Sequence, residues 1–263
     1  MLKKLLKYDL KSIFKVLVVF YILSALFAIL TRLFFNIENS FIMDIVAKVC
    51  SGITIAMIIN ILINNILRLW IRFKNNFYGD ESYLTHTLPV SKDTLYLSKF
   101  ITSIITLLVS FIVIGISLFI AYYSKENIEF IKSILLPIAD TYGSTVIKVL
   151  LAFFFIFFLQ FSNTLQAGYT GIILGHRKNN IKVVYSVIIG FATYIGTQIL
   201  AIIMLFIAGL FNKNIMNLFF TNEIVNVETV KTIIIVAIII YGVILVLEYF
   251  INLKLFKKDV NVD

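Results

Sequence analysis

The side chains in this sequence that could do chemistry are mostly amides and hydroxyls set inside apolar runs. Asn60 and Asn64 stand one helical turn apart, with Asn65 beside them. Gln160, Ser162, Asn163, Thr164 and Gln166 crowd a second run, and Thr193 with Thr197 and Tyr194 with Gln198 recur at four-residue spacing in a third. Their chemistry is hydrogen bonding. They can serve as glue between helices, worth about 0.6 kcal/mol each, or they can line a route for a passing molecule, with Asn60, Asn64, Gln160, Asn163, Thr197 and Gln198 as its residues. Glu248 is the one carboxylate well inside an apolar run. Carboxylates in such a setting are costly and often functional, but its position within about two helical turns of Lys254 lets it reach the interface or pair with a lysine.

Enzyme constellations are missing from the sequence. There is no G-x-x-x-x-G-K-[ST] loop to hold ATP phosphates, no G-x-S-x-G elbow and no H-E-x-x-H helix. The two histidines, His86 and His176, stand in separate polar segments with no triad or metal partner in sight. The single cysteine, Cys50, cannot form an internal disulfide and reads as packing. A non-catalytic chain with no cofactor of its own is expected.

The runs that hold these residues are long. Of 263 residues, 60% are hydrophobic and 14% charged, and the mean hydropathy is +1.00. A helix needs about 20 apolar residues to cross a ~30 Å hydrocarbon core. Six stretches qualify: Val16–Phe35, Val46–Leu69, Phe100–Tyr122, Val146–Leu174, Val183–Phe211 and Thr232–Leu253. None shows the alternation of a barrel strand, so an all-α membrane protein with six spans is expected. The net charge of +9 does not signal nucleic acid, because of where it falls. With both ends inside, 16 of the 23 lysines and arginines lie on the inner side, while the 14 acids split evenly. That asymmetry predicts two cytosolic termini in a multi-pass protein of the cell membrane. "Inner" below means this lysine-rich side.

Between the spans, Met1–Lys15 carries Leu2, Leu5, Leu6, Leu10 and Ile13 at helical spacing against Lys3, Lys7, Lys11 and Lys15. This predicts an amphipathic helix in the lipid interface. The loop after span two contains Gly79-Asp80, a turn signal, then a short helix ended by Pro89, with Ser91 capping the helix that leads into span three. Outside, Ser124–Ser144 reads as a partly interfacial piece broken at Pro137. Gly175–Asn180 is a tight basic turn, and Asn212–Lys231 is apolar enough to dip back toward the membrane as a re-entrant-like segment. Gly171 and Gly175 have the spacing of close helix packing. The spans at 16–253 and the tail at 254–263 are read as one domain over residues 1–263.

The run Asp80-Glu81-Ser82-Tyr83-Leu84-Thr85-His86-Thr87-Leu88-Pro89-Val90-Ser91-Lys92, closed by Lys99, resembles the Tyr-Leu-Thr-x-Thr-Leu-Pro-Val-Ser loop of the permease subunits of bacterial type-2 ATP-binding-cassette exporters. The basic start, the six-span plan and the insert before span six agree with it, and the frequent Ile, Asn and Lys suit an AT-rich bacterial genome. The resemblance implies a coupling helix at about Asp80–Thr87, with Asp80, Glu81, Tyr83, Leu84, Thr85, His86 and Thr87 docking on a separate ATPase. It implies two such P-loop ATPases, which bind the ATP and magnesium, and a second permease, identical or paralogous. The substrate route would run between the permeases, surrounded by lipid. A route of Phe, Ile and amides suits an amphipathic cargo, such as an antimicrobial or toxic peptide or a lipid-like drug. The competing expectation is a motor-free secondary transporter or a membrane scaffold. A secondary transporter usually sets ionisable groups at mid-membrane, and Glu248 is displaced toward the inner side.

Overall fold

The computed structural model describes residues 1–37, 40–141, 143–178, 180–220 and 227–258. Among them are helices α1 (Leu2–Phe35), α2 (Phe41–Tyr78), α3 (Ser82–Thr87), α4 (Lys92–Tyr122), α5 (Lys125–Thr141), α6 (Val146–Gly175), α7 (Lys182–Phe211), α8 (Lys213–Phe220) and α9 (Val227–Lys258). Six of these, α1, α2, α4, α6, α7 and α9, are long and apolar enough to cross a membrane. This is a multi-pass, all-α membrane protein. Each expected span lies inside one of those helices, and the helices run past the apolar runs at one or both ends.

The extension is largest in α1. It runs unbroken for 34 residues, about 51 Å at 1.5 Å per residue. Met1–Lys15 is therefore not a separate helix beside the first span but a continuation of it. Nothing between Lys11 and Val16 breaks a helix, and one buried stripe (Asp9, Ile13, Leu17, Ser24, Ala28, Thr31) runs through both parts. The lysine face is exposed, as the amphipathic pattern requires.

The chain divides into two compact units, residues 1–76 with 84–128 and residues 77–83 with 129–263. In the first unit α1 packs along α4. Small hydroxyls on the buried face of α4 (Ser98, Thr102, Ser103, Thr106, Ser110, Ser117) permit the close approach. Ser24 Oγ donates to Ser117 Oγ at 2.9 Å, and Tyr21 Oη lies 2.7 Å from Ser110 Oγ. Asn65 of α2 donates to the same Ser110 at 2.7 Å. The α2 stripe Ala47, Cys50, Thr54, Ile61, Asn65, Leu69, Phe73 and Asn76 is buried at steps of three, four and seven residues.

In the second unit α6 packs on both α7 and α9. The α6–α7 contact runs through Gly171 and Gly175. A Cβ on Gly171 would stand 2.7 Å from the Gly190 backbone, and one on Gly175 would strike Ser186. α5 continues through Pro137, contrary to the expected break. Proline removes one helical hydrogen bond, at a cost of about 3 kcal/mol. Here Leu135 and Ala139 on either side of it are held against Val149. The inserted segment before α9 contains α8, eight residues long. It turns antiparallel onto the end of α7, with Met216 against Gly209 and Phe219 edge-on to Phe206 at 5.3 Å. At about 12 Å, α8 is too short to re-enter a membrane deeply. Residues 221–226 of the expected re-entrant segment lie outside the described residues.

Gly171 and Gly52 make a matched test. Gly171→Ala should cost roughly 1–3 kcal/mol through forced backbone separation. Gly52→Ala, with nothing within 4 Å of its added carbon, should leave stability unchanged or raised. Thermal unfolding of the two variants in one detergent measures the difference.

Candidate functional site

The loop after α2 is built by local chemistry. Ser82 N donates to Gly79 O at 2.9 Å, closing the turn that holds Asp80 and Glu81. α3 then runs only from Ser82 to Thr87, shorter by two residues than the expected Asp80–Thr87. Thr87 Oγ1 donates to Leu84 O at 3.0 Å in its last turn. Pro89 follows, and Ser91 Oγ accepts from Thr94 N at 3.3 Å, the predicted cap of α4. Ser82 is buried, and Thr85 and His86 are half-buried. Tyr83 and Leu84 are 71% and 69% exposed. A large aromatic and a leucine thus stand out side by side on a six-residue helix, where their burial against something else would be favourable.

The helices on either side of this loop are tied to α1 by a buried charge cluster. Asp9, 3% exposed, takes Lys99 Nζ on Oδ2 at 2.7 Å and Arg72 Nε on Oδ1 at 3.0 Å. Lys99 Nζ also donates to Asn76 Oδ1 at 2.7 Å. Arg72 and Asn76 belong to the last two turns of α2, and Lys99 lies about two turns into α4. One carboxylate therefore joins α1, α2 and α4 just where α2 and α4 lead into α3. Phe73, buried beside it, meets Tyr96 of α4 edge-on at 6.2 Å. Sequence reasoning missed this cluster. In the sequence Lys99 reads only as the residue that closes the α3 loop, and Asp9 falls within the basic start. The available signal was Asp9 falling four residues before Ile13 on the stripe that continues to Leu17.

The expected route residues separate. Asn60 Nδ2 donates to Ala56 O at 2.9 Å, and Asn64 Nδ2 to Asn60 O at 3.0 Å, so both amides bond within their own helix. Asn65, their neighbour, makes the interhelical bond. In the second unit Thr197 Oγ1 donates to Tyr194 O at 2.7 Å. Asn163 Nδ2 reaches across to Tyr241 O of α9 at 3.2 Å. One turn further inward, Asn252 Nδ2 donates to Gln166 O and Gln166 Oε1, at 3.1 and 3.0 Å, and Thr170 Oγ1 donates to Asn252 Oδ1 at 2.7 Å. Gln160 Oε1 and Gln198 Nε2 are buried with no hydrogen-bond partner. Glu248 is 6% exposed and both its oxygens lack a partner. The expected pairing with a lysine is absent, since Lys254, six residues on, points to an exposed face.

The inner end of the second unit is closed by aromatic and basic side chains. Tyr78 stacks on His176 at 4.7 Å, Phe77 meets Phe256 at 4.6 Å, and Arg177 Nη2 donates to Leu255 O at 2.7 Å. Among the described residues no three His, Cys, Asp or Glu side chains gather where they could hold a metal ion. No protein-family model, curated protein or solved structure matches this chain.

The charge cluster predicts an asymmetry. Removing Asp9 leaves buried Lys99 facing the partly exposed Arg72 cation, whereas removing Lys99 leaves Asp9 paired with Arg72. Asp9→Ala should cost about 3–5 kcal/mol, and Lys99→Met clearly less. Thermal unfolding in detergent, with yield of inserted protein alongside, checks the order. Equal losses would contradict an acid-centred cluster.

Proposed function

We propose that this chain is the membrane subunit of an ATP-driven exporter, coupled to a separate cytosolic ATPase through α3. The observation that carries this reading is the exposed pair Tyr83–Leu84 on a short helix held between two membrane-crossing helices. Two large apolar side chains exposed together on a loop with Asp80 and Glu81 suit the core of a docking patch with a polar rim. These 263 residues contain no G-x-x-x-x-G-K-[ST] loop, and in this reading the motor is a separate protein. Closure of two ATPases on ATP would push α3, and the Asp9 cluster would pass that push to α1, α2 and α4 together.

The cargo in this reading is amphipathic: a peptide or a lipid-like molecule. Its route lies where two permeases meet, with the amides of α2, α6 and α7 as polar lining. One observation favours a second reading. Glu248, buried without a partner, is the kind of group on which a motor-free secondary transporter couples an ion.

The two readings separate at α3. Tyr83→Ala with Leu84→Asp should remove about 2–4 kcal/mol of docking energy if both side chains are buried in the complex. Co-purification of a P-loop ATPase and substrate-stimulated ATP hydrolysis should be lost, while the variant inserts and accumulates normally. A double variant that keeps its ATPase and transports at the wild-type rate contradicts the coupling; unchanged transport with no ATPase present supports the secondary transporter.

A further inference from the structure

The second unit holds a set of unsatisfied polar atoms whose chemistry is complementary to one kind of group. On α9, Tyr241, Glu248 and Asn252 follow at steps of seven and four residues, so they share one helix face. Two of the three are fixed against α6. Tyr241 O accepts from Asn163, and Asn252 bonds Gln166 and Thr170. Glu248 lies between them and therefore on the same α6-facing side. A helical side chain leans toward its helix's N-terminus, so the Glu248 carboxylate extends toward the turn that follows Tyr241. The carbonyl of Tyr241 points into that same turn and already holds the Asn163 amide. The two groups approach one level of the helix pair from either side.

The unpartnered buried atoms of α9 and of the facing stretch of α6 include Glu248 Oε1 and Oε2 and Asn163 Oδ1. All three are acceptors, and they carry one negative charge when the carboxyl is ionised. A buried charge requires an opposite charge and hydrogen bonds. Neither α6 nor α7 has an Asp, Glu, Lys or Arg between Val149 and Gly175 or between Val183 and Phe211, and on α9 Lys254 is exposed.

We infer that Glu248 and Asn163 form a binding site for a primary ammonium group carried by an amphipathic molecule. The ammonium has three N–H donors and one positive charge, matching the three acceptors and the carboxylate. Its apolar tail would leave toward lipid along the exposed apolar side chains of α9 nearest Glu248, Leu247 and Ile251. This rests on the transport reading for its biological meaning, since it narrows the cargo to amphipathic amines. Binding is nevertheless measured without any ATPase, so its failure would leave the α3 coupling standing.

The full-length protein in lipid nanodiscs is treated with dicyclohexylcarbodiimide, which modifies carboxyls reached from lipid, and the Glu248 peptide is followed by mass spectrometry. Saturating octylammonium should slow its modification about tenfold by occupying the site. Octanol, octyltrimethylammonium and potassium chloride at matched concentration should protect far less, because they lack the N–H donors, the charge or the tail. Asn163→Leu should weaken octylammonium protection while leaving the modification itself intact. Equal protection by octanol would reduce the effect to lipid partitioning, and equal protection by octyltrimethylammonium or potassium would show that charge alone suffices. Either result overturns the assignment. So does a Glu248 that is never modified, because a carboxyl closed to the carbodiimide is closed to the amine.

Discussion

A polar atom taken out of water must find its partner within the chain, and the arrangement of these helices follows from that constraint. It is sharpest at Asp9. A lone carboxylate withdrawn from water costs several kcal/mol, and this one is held by Lys99 at 2.7 Å and Arg72 at 3.0 Å. Each of the three charges comes from a different helix, so the pairing fixes the rotation of α1, α2 and α4 together. The same demand recurs further along the first unit in milder form. Ser110 serves Tyr21 and Asn65, and Ser117 serves Ser24. These bonds contribute modestly one by one. Their effect is on register, since each is met in only one rotation of its helix.

The second unit answers the same demand with amides and glycines. Gln166, Thr170 and Asn252 satisfy one another between α6 and α9. On the other side of α6, Gly171 and Gly175 bring α7 to backbone contact. Both oxygens of Glu248, on the α6-facing side of α9, lack a hydrogen-bond partner, while Asn252, one turn away, bonds Gln166 and Thr170. An unsatisfied carboxylate inside such an interface is where a ligand has something to gain.

Features governed by local or compositional physics were legible in the sequence. The six spans follow from run length, the α4 cap from Ser91, the close α6–α7 contact from the Gly171–Gly175 spacing, and the short helix before Pro89 from turn chemistry. Features set by partners far along the chain were not. Asp9 and Lys99 are ninety residues apart, and no pattern within either helix announces their pairing. Pro137 was read as a break because its local cost is real, yet packing of Leu135 and Ala139 on Val149 holds the helix through it. The interfacial reading of Met1–Lys15 recognised the lysine face but not its continuity with the first span. Of the route amides, Asn60 and Asn64 turned to their own backbone, whereas Asn163 crosses to α9. The type of residue identified a hydrogen-bonding group, but only the packing decided whom it bonds.

In the coupling account, α3 is a contact point and the Asp9 cluster makes the helices behind it move as one body. The most direct test is to place a photoreactive benzoylphenylalanine at Leu84 in living cells, with one at Phe130 of α5 as control, since Phe130 is comparably exposed at 66%. The account predicts that light links position 84 to a protein whose peptides include a G-x-x-x-x-G-K-[ST] loop, and that position 130 gives no such product. Normally inserted protein that yields only lipid adducts at position 84, or the same partner at both positions, would contradict it.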